Sequence, residues 1–268
     1  MDLADHAAWW AAASPAQVQQ AGRAEDAGLN ASAPPQQRSI DGWLVRYCPG
    51  KAQRARCIQP VGAGSGPLHD RLARCLRLYQ HAGLPPIMRL TPFSQPPGLD
   101  AELAALGWRR YDDTVVMWRD SVPLAAPPLP DGTRVAPADA AELAEVVGSL
   151  RGTPPAERLS QAARLAAAPV PHRGWVLRAS ADGAVLACGQ TATEDGLVGL
   201  YDVFTAPAAR GRGLAGWLCA AMLAAAARDD GAVSAYLQVG AENAAARRVY
   251  QRLGFADCYG YHYRTPTG

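Results

Sequence analysis

The chain has 268 residues, above the usual size of one domain and tight for two of ~150 residues each. With 49% hydrophobic and 19% charged residues it can build a core, which excludes global disorder. A formal net charge of +2 lacks the basic excess that extended nucleic-acid binding requires. Lys51 is the only lysine, so an anion site here uses arginine forks, and a Walker-type phosphate loop is excluded. The six cysteines (Cys48, Cys57, Cys75, Cys188, Cys219 and Cys258) form no close pair, which fits reduced thiols and neither a zinc site nor a disulfide framework. Acidic residues Asp2 and Asp5 replace the basic start of a signal peptide, and the most apolar run, Leu214 to Ala227, is too short to span a bilayer. A cytoplasmic protein without membrane attachment is expected, and Asn30-Ala31-Ser32 is not read as a glycosylation site.

In chain order, a helical start carries Trp9 and Trp10, which pack onto either half of the chain or onto a second copy in a homodimer. Gly42 to Arg46 reads as a strand, Arg54 to Gln59 as another, and a glycine-rich turn follows at Gly62, Gly64 and Gly66. Next come a helix from Leu68 to His81, a strand at Ile87 to Leu90, a short helix from Leu99 to Leu106 and a strand after Trp108. Val122 to Gly132 has the composition of a linker. Beyond it, strands are expected at Thr133 to Ala136, Gly174 to Arg178, Ala184 to Thr193 and Leu197 to Thr205, with helices between Ala138 and Arg164 and a hairpin turn at Asp182-Gly183. A turn at Gly211 to Gly213 opens a helix to Arg228; a strand (Val233 to Val239), a helix (Ala244 to Leu253) and a last strand follow.

The order repeats. Gly66 and Leu106-Gly107 fall on Gly213 and Leu253-Gly254 at a spacing of 147 residues, whereas the Gly-Trp strands align at 132, which implies an extra hairpin in the second half.

The chemistry concentrates in two segments. Thr205-Ala-Pro-Ala-Ala-Arg-Gly-Arg-Gly-Leu-Ala215 lies between a strand and a helix, where Gly211 and Gly213 admit an anion close to the main chain and Arg210 and Arg212 add charged donors. Thirty residues on, Asn243 starts a helix with Tyr250 two turns later on the same face. Taken alone, Asn243 reads as a cap and Tyr250 as a core aromatic.

Together these segments resemble the GNAT superfamily of acyl-CoA-dependent N-acyltransferases. Its R-x-x-G-x-A/G turn is matched by Arg210, Gly213 and Ala215, and its N-x-x-A-x-x-x-Y-x-x-x-G-F element by Asn243, Ala246, Tyr250, Gly254 and Phe255. The resemblance covers Thr133 to Pro266. It implies an α/β (α+β) fold of two GNAT-like domains, each a mixed, mostly antiparallel sheet flanked by helices. The expected division is a degenerate domain at 1–120, a linker at 121–132 and a complete catalytic domain at 133–268.

The resemblance further implies that acetyl-CoA lies where two parallel strands splay apart. Its pantetheine arm would pair with the backbone of Val203, Phe204 and Thr205, and its pyrophosphate would sit on the N–H groups of Gly211, Arg212, Gly213, Leu214, Ala215 and Gly216, with Asn243 touching the arm. A small-molecule or peptide amine would attack the thioester directly in a ternary complex, with Tyr250 donating to the departing thiolate. A lysine-like amine of pKa ~10.4 is almost wholly protonated at pH 7, so a base or water path helps. Where many members carry a glutamate, this chain has Tyr201 and Asp202, and strand alternation sends only one of them into the cleft. No residue set suggests a metal site. The polar positions are lost in the first half, where Ala63, Leu68, Pro96 and Leu103 fall on Arg210, Ala215, Asn243 and Tyr250. Two rival readings are a non-catalytic acyl-CoA sensor and a protein-interaction scaffold on the duplicated fold.

Overall fold

The computed structural model describes residues 5–267. The first half runs α1 (His6–Ala12), α2 (Pro15–Ala31), β1 (Gln37–Ile40), β2 (Trp43–Arg46), β3 (Ile58–Gln59), α3 (Leu68–Ala82), β4 (Met88–Leu90), α4 (Leu99–Ala105) and β5 (Trp108–Arg119). After residues 121–132, which carry neither helix nor strand, come β6 (Thr133–Ala138), α5 (Ala140–Leu150), α6 (Pro155–Ala166), β7 (His172–Ala179), β8 (Val185–Glu194) and β9 (Leu197–Thr205). The chain closes with α7 (Leu214–Asp229), β10 (Ser234–Gly240), α8 (Ala244–Arg252) and β11 (Ala256–Pro266).

Local chemistry sets many of these boundaries. Ser14 and Gln17 form a capping box at the start of α2 with Pro15 in its first turn. The Asp139 carboxylate accepts from the Glu142 N–H at 2.8 Å to open α5. Asp195 and Gly196, both at positive φ (49° and 72°), make the tight hairpin between β8 and β9.

All eleven strands join one sheet in the order β1-β2-β3-β4-β11-β5-β10-β9-β8-β7-β6. The middle of that order is a palindrome. Parallel pairs β3/β4 and β9/β10 flank it, and β5 and β11 lie antiparallel between them, each against the other half's penultimate strand. Thus β11 pairs with β4 of the first half and β5 with β10 of the second. Each half completes its sheet with a strand from the other, so separating them breaks three ladders, β4/β11, β11/β5 and β5/β10. The 147-residue spacing carries β5 onto 255–266, within one residue of β11, and α3 onto 215–229, within one residue of α7.

The 132-residue match is corrected by the sheet. β2 lies beside β3 and therefore takes the place of β8, although its Gly-Trp sequence resembles that of β7. The β1-β2 hairpin corresponds to β7-β8, and what the second half has in addition is the edge strand β6 with α5 and α6. Gly42 sits in the turn before β2 and Trp43 is buried, whereas Gly174 lies inside β7 and Trp175 is half-buried, so the shared Gly-Trp pair does not mark equivalent positions.

Alternation along β5 shows the layers: Val115 and Met117 join the core beneath α7 and α8, while Val116 and Trp118 join the one beneath α2. α2 straddles the junction of the halves on the strength of small residues, Ala21, Ala24, Ala27 and Gly28, and of a buried Glu25 whose carboxylate takes both Arg89 guanidinium nitrogens (2.5 and 2.9 Å) and the Tyr259 hydroxyl (2.6 Å). A methyl at Gly28 would meet Gln238 Nε2 at 2.8 Å. Trp9 is buried in the same core, with its Nε1 donating to the Cys258 carbonyl at 2.8 Å. All six cysteines are free and buried. Among the described residues, no helix is long and apolar enough to cross a membrane.

Candidate active site

The site is built where β9 and β10 part. They pair in parallel only from Leu197 to Leu200 against Ser234 to Leu237. Beyond that β10 stays with β5 as far as Gly240, while β9 stays with β8 as far as Thr205. The β10-facing backbone groups of Tyr201, Asp202, Val203, Phe204 and Thr205 are therefore left without a strand partner, and an extended ligand can supply one.

The divergence begins at a bulge. Gln190 pairs with Tyr201 but Cys188 with Phe204, so two residues of β9, Asp202 and Val203, oppose Gly189 alone. Asp202 takes φ 48° to accommodate it. This corrects the expectation that only one of Tyr201 and Asp202 faces the cleft: both line the same cavity, because the bulge resets the alternation between them.

Their environments differ. The Tyr201 hydroxyl is hydrogen-bonded to that of Tyr236, and burial pushes the phenol up to about 12. The Asp202 carboxylate accepts from Arg151 Nη1 (3.0 Å), Gln161 Nε2 (3.2 Å) and Gln190 Nε2 (2.8 Å). Its oxygens are thus taken up by one cationic and two amide donors, which fix the carboxylate in place.

Past β9, a short helical turn (Pro207–Ala209) leads into Arg210 to Gly213 and the start of α7. Gly211 and Gly213 adopt φ 77° and 74°, and an added Cβ at either would meet nothing within 4 Å. Gly213 caps α7 without a side-chain acceptor, so the first N–H groups of the helix, on Leu214, Ala215 and Gly216, point outward unfilled. Leu214 is buried in the core, which anchors the turn and leaves only its main chain available. The Arg210 guanidinium lies 5.7 Å from the Phe204 ring centroid, and Gly211 and Arg212 are exposed beside it. An open glycine cradle at a helix N-terminus, flanked by two arginines, fits a pyrophosphate.

Asn243 accepts from the Ala246 N–H at 3.1 Å and caps α8; it also lines the cavity. Tyr250 is buried, packs edge-on to Phe255 with centroids 6.2 Å apart, and faces the cavity, and burial pushes its phenol well above the ordinary value. Its hydroxyl has no hydrogen-bond partner among the described residues. Cys219, inside α7, has its thiol pushed up to about 12 by burial, far from a nucleophile's range.

The cavity itself, about 450 Å³, is walled by both halves: Lys51 to Arg54 come from the first and Arg151, Glu157 and Arg164 from α5 and α6. The sequence points to the helices between Ala138 and Arg164 and to the first half as walls of the acceptor side, but to none of these side chains as a site residue, nor to His172. Burial holds the His172 imidazole below its usual pKa; Nε2 sits 2.9 Å from the Ala31 carbonyl, to which it donates, and Nδ1 is buried without a partner. No local pattern marks them, since loop, helix and strand meet here only through the tertiary fold.

The family described as "Probable histone acetyltransferase Rv0428c C-terminal" matches residues 20–264. The chain belongs to this acetyltransferase family. Its fold is that of the GNAT proteins. A GCN5-related N-acetyltransferase from Kribbella flavida superposes with a TM-score of 0.67 at 19% identity, covering 92% of this chain and 96% of its own. A tandem GNAT protein from the clavulanic acid biosynthesis pathway gives 0.59 at 20% identity over 75% and 70%. A GCN5-related N-acetyltransferase from Sphaerobacter thermophilus gives 0.55 at 20% identity over 72% and 64%. None of the curated proteins matches in sequence. The eleven-stranded sheet with its palindromic middle thus belongs to a fold whose solved neighbours include a tandem GNAT protein.

Proposed function

We propose that the protein is an acetyl-CoA-dependent N-acetyltransferase whose cofactor lies across β9 and the N-terminus of α7. The observation that carries the reading is a run of unpartnered main chain, from the bulge at Asp202, along the edge of Val203 to Thr205 that β10 leaves unpaired, to the open turn and helix N-terminus at Gly211 to Gly216. Acetyl-CoA supplies an activated acyl group as a thioester. Val203, Phe204 and Thr205 offer alternating main-chain donors and acceptors to an amide-bearing arm, and Arg210, Arg212 and the N–H groups of residues 211–216 take the pyrophosphate.

The reacting end then falls in the cavity, where both substrates meet directly; among the described residues no cysteine lines it to carry an acyl group. Tyr250 lies with its hydroxyl uncommitted and protonated, a donor for the leaving thiolate. A phenol near pKa 10 facing a thiol near ~8.5 makes full transfer uphill by ~2 kcal/mol, and burial of Tyr250 adds to that, so the bond rather than the transfer stabilises the departing sulfur. Asp202 is committed to Arg151, and Tyr201 is held protonated. That leaves His172 Nδ1, beside Gln190 and without a proton while Nε2 donates to the Ala31 carbonyl, as the proton acceptor, reached through water in the cavity. A second reading, an acyl-CoA sensor without turnover, is favoured by that same commitment of Asp202. Thiol release from acetyl-CoA over a panel of amines separates the two.

A further inference from the structure

The cavity holds a charge imbalance that its own residues do not settle. Of its four cations, Lys51 sits 3.9 Å from Glu157, and Arg151 is paired with Asp202 at 3.0 Å. Arg54 and Arg164 face the same space with no carboxylate within ion-pair distance. Arg54 gives Nη1 to two neutral oxygens, Gln238 Oε1 (2.5 Å) and the Tyr261 hydroxyl (3.1 Å), and its buried Nε has no partner. Arg164 makes no hydrogen bond among the described residues, and its nearest counter-charge, Asp202, is already claimed. The remaining carboxylate of the lining, Asp112, takes Gln53 Nε2 at 2.5 Å.

Facing them are three buried acceptors of the lining without a donor: Glu157 Oε2, which has only Lys51 at 3.9 Å, and His172 Nδ1 and Gln190 Oε1, which lie against each other and have no proton between them while His172 Nε2 donates to the Ala31 carbonyl. The cavity thus presents unfilled guanidinium donors at one place and unfilled acceptors at another within about 450 Å³. A guanidinium withdrawn from water without a counter-ion is costly, and a ligand anion relieves that cost with bidentate geometry. A polyamine or a basic peptide would bring like charge to both arginines.

We infer that the acceptor is a small amine that also carries an anionic group, held by Arg54 and Arg164 while its amino end meets His172 and Gln190. The inference rests on the proposed acetyltransferase reading and narrows its acceptor class. A carboxylate and a phosphate ester share this chemistry.

The test uses the full chain and thiol release from acetyl-CoA with matched acceptors: each standard L-amino acid against its carboxamide, O-phosphoethanolamine against ethanolamine, and spermidine. At least one anionic member is expected to exceed its uncharged partner about tenfold or more in kcat/KM, as a charged hydrogen bond implies. In Arg54→Gln and Arg164→Gln that ratio falls to within about threefold of unity, while the CoA dissociation constant moves less than about twofold. Preference within the amino-acid pairs assigns a carboxylate; preference within the ethanolamine pair assigns a phosphate ester. Equal use of both members of every pair, or best turnover with spermidine, overturns the inference and leaves the acetyltransferase reading standing. If no amine releases thiol, that reading fails. The anion pocket is then judged by calorimetric titration of the same acceptors with CoA present: heat that disappears in Arg54→Gln supports it, and no heat with any anionic acceptor overturns it.

Discussion

The two glycine turns, equivalent at a spacing of 147 residues, have opposite fates. In the second half, Gly211 and Gly213 stand open before the unfilled N–H groups of α7. In the first, the Asp41 carboxylate occupies the corresponding cradle: Oδ1 accepts from the Ser65 N–H (2.9 Å) and hydroxyl (3.1 Å), and Oδ2 from the Gly66 N–H (3.0 Å) and Arg71 Nε (3.1 Å). Those hydrogen bonds hold the Asp41 carboxyl down to about 2. Arg71 also donates to the Gly66 carbonyl at 3.1 Å, and a Cβ at Gly64 would meet that guanidinium. An anion-binding turn can thus survive as a scaffold when a side chain of the same chain takes the anion's place. Leu103, in Tyr250's position, is likewise absorbed into a core with Trp108 and Leu99.

The comparison can be broken at several points. The largest effect belongs to Tyr250→Phe, which should lower kcat about 100-fold and leave the CoA dissociation constant within about twofold; unchanged turnover would remove Tyr250 from the chemistry. Next is the acid lability of the scaffold half. Burial, followed by the stacked His262 ring 5.4 Å away, holds His6 down at about 4. The unfolded chain therefore binds a proton that the folded one refuses between about pH 6.5 and 4. This stability is present above pH 6.5 and is lost as pH falls, by about 2.5 kcal/mol at pH 4.5. His6→Gln should flatten that slope in urea titrations, and an undiminished slope would place the titration elsewhere.

Smaller effects separate the turns directly. Arg210→Glu should weaken CoA about tenfold, whereas Asp41→Ala should lower the urea midpoint and leave CoA affinity within about twofold. A loss of CoA binding in Asp41→Ala would mean that the first half holds cofactor after all. Smallest is Asn243→Ala, which removes the cap of α8 and costs about 1 kcal/mol of stability. If CoA affinity falls more than about threefold as well, Asn243 also touches the cofactor.

The sequence made the cofactor turn legible because glycines, arginines and a helix start lie within eleven consecutive residues, and the Asn243 to Phe255 element because its spacing is helical. The exchange of β5 and β11 was not legible: Val115 to Trp118 show the same alternation whichever strand lies beside them. Nor was the bulge at Asp202, which depends on register against Gly189 on another strand. Arg54, expected in a strand, lies in a short helical turn, and together with Arg164 and His172 it reaches the cavity from three segments that no linear motif connects.

The central claim is that a cofactor site survives in one half alone. Calorimetric titration of CoA into the full chain, compared with Gly211→Asp, tests it most directly, since the variant places a carboxylate on the second turn as Asp41 does on the first. The account predicts one CoA per chain, with binding lost or weakened about tenfold or more in Gly211→Asp. Two CoA molecules per chain, or wild-type affinity in the variant, would contradict it.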